Sequence, residues 1–459
     1  MKFDVYCTAQ KLDSDTGVIS HFIVKYVYDN ETSEIFDSSG TKIEVKAHEK
    51  RDYSNSKQHN AISQQNPGRK KSPKKLKISF GLQCNYSCSY CSQKFIERPG
   101  AEKDRVNKFV ANVDKWILEE PHRVEFWGGE PLVYFKQVKP LAEALRAKWP
   151  KASFGMVTNG SLLTDEIVDW LYDMGFSVGL SHDGPGQKYR GPDPLDDPEK
   201  RRVILRMAEK FLPNRMSFNA MLHSRSYERK PIQDYFDAFL GHDRRYVIGE
   251  GEIITAYDPD GLADSFQSAD EHWDCRRKAL VELERNETRK FGVSYRRPRE
   301  WINSWGNERP AHVLGVSCDM DIETNMTVDL SGNVLTCQNA SAVSTAPNGR
   351  SHLIGHVSNL DAVRLTTGRH WTTRDNCAKC PVVQQCKGTC MFLEGEIHDV
   401  SCDNSFTDHI PYFAYAFEQA TGSLPFAIVA HDGSTRPERA MLWGKNIRRP
   451  HDVDADQQS

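Results

Sequence analysis

Apolar and polar positions recur at two different periods along this chain, and the texture changes several times. Over residues 1–46 the segments FDVYCTA, HFIVKYVY, EIFDSS and TKIEVK are rich in aromatic and β-branched residues. Asp, Ser, Gly and Asn separate them, which predicts a β-rich N-terminal segment. Residues 47–75 turn polar and basic and hold too few apolar side chains to bury anything, the pattern of a linker. Its Arg69, Lys70, Lys71, Lys74 and Lys75 offer charge to an acidic peptide, although a solvated face explains them more simply. From Leu76 the runs LKISFGL, VEFW, SFGMVT and SVGLS read as strands. They alternate with VNKFVANVDKWILEE, FKQVKPLAEALRAKW and DEIVDWLYDM, whose apolar residues step by three and four. The segments EKRRVILRMAEKF, RMSFNAML and PIQDYFDAFL continue the series.

Such alternation predicts βαβ units on a parallel sheet, an α/β fold with a partial (β/α)6 barrel over residues 76–300. Its site belongs at the C-terminal ends of the strands. Residues 301–317 bridge to a cysteine-rich segment, 318–406, which has little core of its own and needs staples. Residues 407–459 read as a helix (PYFAYAFEQATG) and a tail that loses order after about Arg448.

The 459 residues allow two or three domains. A formal charge of −3 excludes a general nucleic-acid binder. No run approaches the roughly 20 apolar residues that span a bilayer, and the first residues lack a secretory apolar core. A cytoplasmic protein with no membrane partner is expected. In that compartment thiols stay reduced, so the 12 cysteines point to metal ligands or catalytic thiols.

Cys84, Cys88 and Cys91 stand at C-x3-C-x2-C spacing just after the first strand of the α/β region. Three thiolates wrap one face of a cubic [4Fe–4S] cluster, whose usual complement is four. One iron is then left open for a ligand, as in catalytic metal sites. A structural zinc site would need a fourth ligand nearby, and none lies there in sequence. This loop resembles the signature of the radical S-adenosylmethionine family. The resemblance implies that the open iron binds the amino and carboxylate groups of S-adenosylmethionine. Reductive cleavage then yields a 5′-deoxyadenosyl radical that takes hydrogen from a substrate.

Further motifs follow the family's order. Tyr90 takes the aromatic position that packs by the adenine. Gly128-Gly129-Glu130-Pro131 resembles the GGEP motif that binds the methionine amino group, its glycines allowing close backbone approach to the bound group. Thr158-Asn159-Gly160 and Ser181-His182-Asp183-Gly184-Pro185 resemble TNG and S-x-DGP, with Ser181 and Asp183 near the ribose. The usual His-Asp pair after this motif is missing, and Arg190 is the nearest candidate for the cofactor carboxylate; a turn arginine is an equal reading.

The order Cys318, Cys337, Cys377, Cys380, Cys386, Cys390, Cys402 resembles the SPASM extension, which binds two auxiliary [4Fe–4S] clusters. By the family's crossed pattern Cys377, Cys380, Cys386 and Cys402 hold the outer cluster, and Cys318, Cys337 and Cys390 the inner one. The inner cluster's fourth ligand stays open: His312, Cys275, Cys7, a substrate thiolate or none.

The resemblance implies a peptide or protein substrate and an electron donor such as flavodoxin or ferredoxin. Maturation of a ribosomally made peptide, by a thioether or carbon–carbon crosslink or a related change, is the preferred reading. The alternatives are an anaerobic sulfatase-maturating, formylglycine-generating enzyme and a non-enzymatic iron–sulfur electron carrier. Sulfatase maturases carry an Asp base directly after the second SPASM cysteine. Here Gln338 stands there, an amide that takes up no proton at neutral pH. The N-terminal strands offer an edge to an extended leader, or simply cap the barrel. The sequence does not mark the catalytic side chains that meet the substrate.

Overall fold

The computed structural model describes residues 1–12, 19–56, 68–93, 105–249 and 251–450. The aromatic and branched residues of the N-terminus form β1 (Lys2–Leu12), β2 (Ile19–Asp29) and β3 (Glu34–Phe36). β1 and β2 pair antiparallel from Lys2↔Asp29 to Leu12↔Ile19, and β3 pairs with β2. Alternate residues Phe3, Val5 and Cys7 are fully buried, as period-two patterning requires. TKIEVK forms no strand beyond a bridge between Phe36 and Lys42.

The barrel follows in β/α steps: β4 (Lys75–Ser79), α1 (Arg105–Asn112), β5 (Arg123–Trp127), α2 (Phe135–Lys148), β6 (Ser153–Thr158), α3 (Asp165–Asp173), β7 (Phe176–Ser181), α4 (Pro198–Phe211), β8 (Met216–Asn219) and α5 (Arg229–Leu240). Strands β4 to β8 lie parallel in sequence order. Parallel bridges from Phe218 to Ile248 and from Ile248 to Phe291 carry the sheet one step further. The expected α/β alternation is therefore present. Local chemistry starts the helices: the Asp197 side chain caps α4 ahead of Pro198.

On each strand the apolar residues Ile78, Phe126, Phe154, Phe176 and Phe218 are buried in the core. The intervening residues, among them Arg123, Glu125, Trp127, Ser217 and Asn219, line a polar cavity of about 250 Å³ inside the barrel. The short parallel pair β9 (Met221–Leu222) and β10 (Glu252–Ile253) comes next, then α6 (Pro259–Ala263), α7 (Ala269–Glu284) and α8 (Gly292–Gly306). A capping box of Ser268 and Glu271 starts α7.

The cysteine-rich segment is not a separate body. β11 (Asn325–Asp329) lies parallel beside β4, and β12 (Asn333–Leu335) and β13 (Leu353–His356) extend it antiparallel. One eight-stranded sheet thus runs β13-β12-β11-β4-β5-β6-β7-β8. Beyond α9 (Asp375–Ala378) and α10 (Val383–Cys386), the long α11 (Gly395–Thr421) runs through the division expected at residue 406 and carries Cys402. The C-terminal stretch contains β14 (Ser423–Ala430), which pairs with β1, and α12 (Pro437–Ala440).

The polar segment at 47–75 is more firmly placed than its composition suggests. Backbone N–H groups of His48 and Glu49 donate to Asn303 on α8. Arg69 is buried and its Nη2 donates to Met320 O at 2.7 Å, so it is no part of a solvated face. Residues 57–67 of this segment and the tail 451–459 lie outside the described residues. No helix among the described residues is long and apolar enough to cross a membrane.

Candidate functional site

The loop 84–91 leaves the C-terminal end of β4, held by backbone and side-chain bonds from three neighbouring β/α loops. Tyr86 N donates to Cys84 Sγ at 3.3 Å, and Gln93 N to Cys91 Sγ at 3.4 Å, so backbone dipoles already face two of the sulfurs. Burial pushes the Cys88 thiol up to about 12; Arg190 opposes this, and the charges of Cys91, Asp183 and Cys84 add to it. Thiolates gathered in this way are stable only with a cation among them.

The GGEP loop docks on the cysteine loop by backbone. Gly129 N donates to Gly81 O and Glu130 N to Gln83 O at 2.9 Å. A Cβ at Gly129 would lie 2.4 Å from Gln83 O and 2.5 Å from Leu82 O. The close approach that demands glycine here is to the cysteine loop itself rather than to a bound group. Pro131 starts a short 3₁₀ turn whose cap is Glu130. The Glu130 carboxylate is buried and accepts from Leu132 N, Thr158 Oγ1 at 2.7 Å and Asn159 N at 2.8 Å. Glu130 therefore fixes the loop. Asn159 in turn donates to Asn85 Oδ1 at 2.9 Å and accepts from Ser161, which ties the end of β6 to the cysteine loop.

Asp183 is the polar hub. It is fully buried and accepts from the Tyr90 hydroxyl, from Arg190 Nη2 at 2.8 Å and from Met221 N at 2.9 Å. Ser181 closes β7 opposite Asn219. Arg190 lies 5.7 Å from the Tyr90 ring centre, and its Nε is buried with no hydrogen-bond partner among the described residues. A buried donor of this kind calls for an acceptor, and a carboxylate-bearing cofactor beside Cys88 supplies one. The residues present thus fit a three-cysteine cluster with a bound amino acid group. Sequence reasoning missed Asp264, buried and paired with Arg225, which accepts from Ser89 Oγ at 2.5 Å and steadies the cysteine loop. It also missed the His182–Asp193 contact at 3.0 Å. Asp264 lies in no spacing motif, and His182 fills the variable position of S-x-DGP.

The remaining cysteines sort into two groups. Cys318, Cys337 and Cys390 act electrostatically on one another, as do Cys377, Cys380, Cys386 and Cys402. The trio opens into a cavity of about 930 Å³ that reaches Tyr90 and Met221 at the barrel mouth. Cys318 is exposed, to this cavity. Burial raises the Cys390 thiol to about 12. The quartet encloses a small space lined also by Val382, Val383 and Phe406. Gly388 lies against it at φ +85°, where a Cβ would sit 3.5 Å from Cys377 Sγ. No three His, Cys, Asp or Glu side chains among the described residues converge closely enough for a single metal ion.

None of the three protein candidates for a fourth inner ligand lines the cavity with Cys318, Cys337 and Cys390. Cys7 is buried within β1, Cys275 is buried on α7, and His312 is exposed in a 3₁₀ turn. The cavity wall beside the trio instead holds Tyr257 and His352, joined Oη to Nε2 at 3.2 Å, with His352 Nδ1 on Thr336 Oγ1 at 2.5 Å. Burial, then the charges of Cys390 and Cys337, raise the Tyr257 hydroxyl far above its ordinary value, so it stays protonated.

A parallel β/α barrel that gathers three cysteines at its strand ends fits an iron–sulfur site open to a small-molecule cofactor. Residues 78–233 match the model of the Radical SAM superfamily, whose enzymes work with S-adenosylmethionine and a [4Fe–4S] cluster. The chain is 22% identical over 346 residues to the radical SAM cyclopropyl synthase TigE of Paramaledivibacter caminithermalis, covering 69% of this chain and 68% of that protein. It is 22% identical over 342 residues to the serine-type anaerobic sulfatase-maturating enzyme of Klebsiella aerogenes, covering 68% and 78%. Among solved structures, native anSMEcpe with bound AdoMet and Kp18Cys peptide is similar in fold, with a TM-score of 0.52 and 18% identity over 76% of this chain and 99% of that one.

Proposed function

We propose that this protein modifies a peptide, with two auxiliary [4Fe–4S] clusters besides the radical-generating one, and that its substrate is a ribosomally made precursor. The observation that carries this reading is the single 930 Å³ cavity shared by Tyr90 and the trio Cys318, Cys337 and Cys390. It is large enough for several residues of an extended chain. The similarity to TigE and to peptide-bound anSMEcpe supports it. When bound, S-adenosylmethionine and its cluster supply a 5′-deoxyadenosyl radical for hydrogen abstraction.

The chain's own residues do the rest. Cys84, Cys88 and Cys91 hold the first cluster; Arg190 takes the cofactor carboxylate through its free Nε; Tyr90 flanks the adenine; Ser181 and Asp183 orient the ribose side. Gly128, Gly129, Glu130, Pro131 and Asn159 fix the loop that meets the amino group. Cys318, Cys337 and Cys390 leave the inner cluster open toward the cavity, and Cys377, Cys380, Cys386 and Cys402 close the outer one. A flavodoxin or ferredoxin supplies the electron.

A second reading, formylglycine formation, is favoured by the sulfatase-maturating relative. Against it, Gln338 accepts from Lys77 Nζ at 3.0 Å and offers no base where those enzymes carry Asp. Anaerobic reconstitution tests both. About twelve irons per chain are expected for three cubanes, with release of 5′-deoxyadenosine under dithionite. A short peptide encoded beside the gene should lose or rearrange hydrogen, while a sulfatase-derived Cys or Ser peptide stays unchanged. Zinc in place of iron, or formylglycine on the sulfatase peptide, overturns the proposal.

A further inference from the structure

The outer cysteine quartet has a neighbour that no motif announces. Arg439 on α12 is buried, and its Nη2 lies 3.2 Å from Cys402 Sγ. Two contacts aim the guanidinium. Asp403 Oδ1 accepts from its Nε at 2.9 Å and its Nη2 at 2.5 Å, and the Phe406 ring lies 4.8 Å beneath it. Arg436 also pairs with Asp403, so that one carboxylate faces two guanidinium groups. The charges of Cys402 and Cys380 both act on Arg439. Ser405 Oγ lies 3.1 Å from Cys386 Sγ. The quartet is thus contacted by a buried cation and a hydroxyl, beside a pocket lined also by Asn376, Val382, Val383, Gly388 and Phe406.

We infer that Arg439 is a tuning residue for the redox potential of the outer cluster, and that Asp403 sets how much of its charge the cluster feels. This rests on the reading of Cys377, Cys380, Cys386 and Cys402 as cluster ligands. Reduction adds a negative charge to the cluster. An N–H donor and a desolvated positive charge at one sulfur stabilise the reduced form more than the oxidised one, and so raise the potential. The effect is strong because burial leaves little water to screen it. Asp403 opposes it. A residue that only packed the C-terminus would not respond with opposite signs when cation and carboxylate are removed in turn.

The test is redox potentiometry followed by electron paramagnetic resonance on full-length protein in which Cys84, Cys88 and Cys91 are alanine, so that only auxiliary clusters remain. Arg439→Met should move one of the two reduction waves to more negative potential and leave the other in place. Asp403→Asn should move the same wave to more positive potential. Both waves standing still in both variants, or both waves moving together, overturns the inference. If Arg439→Met loses iron, Asp403→Asn, which keeps the cation, decides alone. Unsubstituted protein holding about four irons instead of twelve removes both auxiliary clusters, and with them the proposed cluster count; twelve irons with an unmoved potential removes only the role of Arg439.

Discussion

At Gly129 the space for a side chain is filled by Gln83 O and Leu82 O, 2.4 and 2.5 Å from an ideal Cβ. Backbone atoms yield little, so Gly129→Ala must shift either the GGEP loop or the cysteine loop that carries Cys84 and Cys88. A displacement near 1 Å at a reacting centre costs about 100-fold in rate. Gly129→Ala should therefore lower 5′-deoxyadenosine formation by about that factor while the auxiliary irons stay bound, read by iron count and product assay on one preparation. The cysteines were legible in the sequence because their type and spacing are themselves the chemistry. Tyr257, His352 and Arg439 were not. Tyr257 and His352 meet across 95 residues of chain, and Arg439 reaches Cys402 from an unremarkable arginine-rich stretch. Contact of this kind leaves no period behind.

Helix α11 joins the cysteine-rich segment to the barrel through one buried carboxylate. Asp408 accepts from Arg229 Nη2 on α5 at 2.7 Å and from Arg297 Nη1 on α8 at 2.8 Å, with all three side chains nearly solvent-free. Removing the anion leaves buried Arg229 without its carboxylate and Arg297 with only the half-exposed Glu252 at 2.8 Å, so Asp408→Ala should cost roughly 3 kcal/mol, measured as a fall in urea midpoint. Burial alone would raise the Asp408 carboxyl, but Arg297 and Arg229 hold it below the ordinary 3.8. The stabilisation is therefore complete above that pH and is lost as the pH falls through the lower folded value. In Asp408→Ala that part of the acid-unfolding curve should flatten. The β/α alternation from β4 to α5 could be read from periodicity, since each element carries its own apolar stripe. β14 could not: Ser423–Ala430 holds Pro425, which argues against a strand. It forms because β1 lies beside it, with a register shift between Tyr6 and Cys7 that accommodates the proline opposite Cys7.

On the scale of the whole molecule the two ends of the chain form one sheet, β14-β1-β2-β3, and that sheet supports the outer quartet. Tyr28 on β2 sits among Trp301, Trp305 and Phe413, with ring centres 5.3 to 6.5 Å away. The next turn directs Asn30 at the cysteine loop. Its Nδ2 donates to Ala378 O at 3.0 Å and Cys380 O at 2.9 Å, and its backbone O accepts from Gln384 Nε2 at 2.8 Å. β1 is paired on both edges, whereas β3 covers β2 only from Val27 to Asp29, so an edge for an extended leader would lie on β2, and the turn after β2 braces the loop of Cys377 and Cys380. Asn30 is almost solvent-free, and Asn30→Ala removes a donor from Ala378 O and one of the two from Cys380 O, which keeps Val383 N at 3.3 Å, at about 1 kcal/mol each. That strain falls on the loop between Cys377 and Cys386. The variant should retain about eight of twelve irons and still cleave S-adenosylmethionine at the radical site. Retention of all twelve through repeated gel filtration would show that the outer loop holds its shape without the N-terminal sheet.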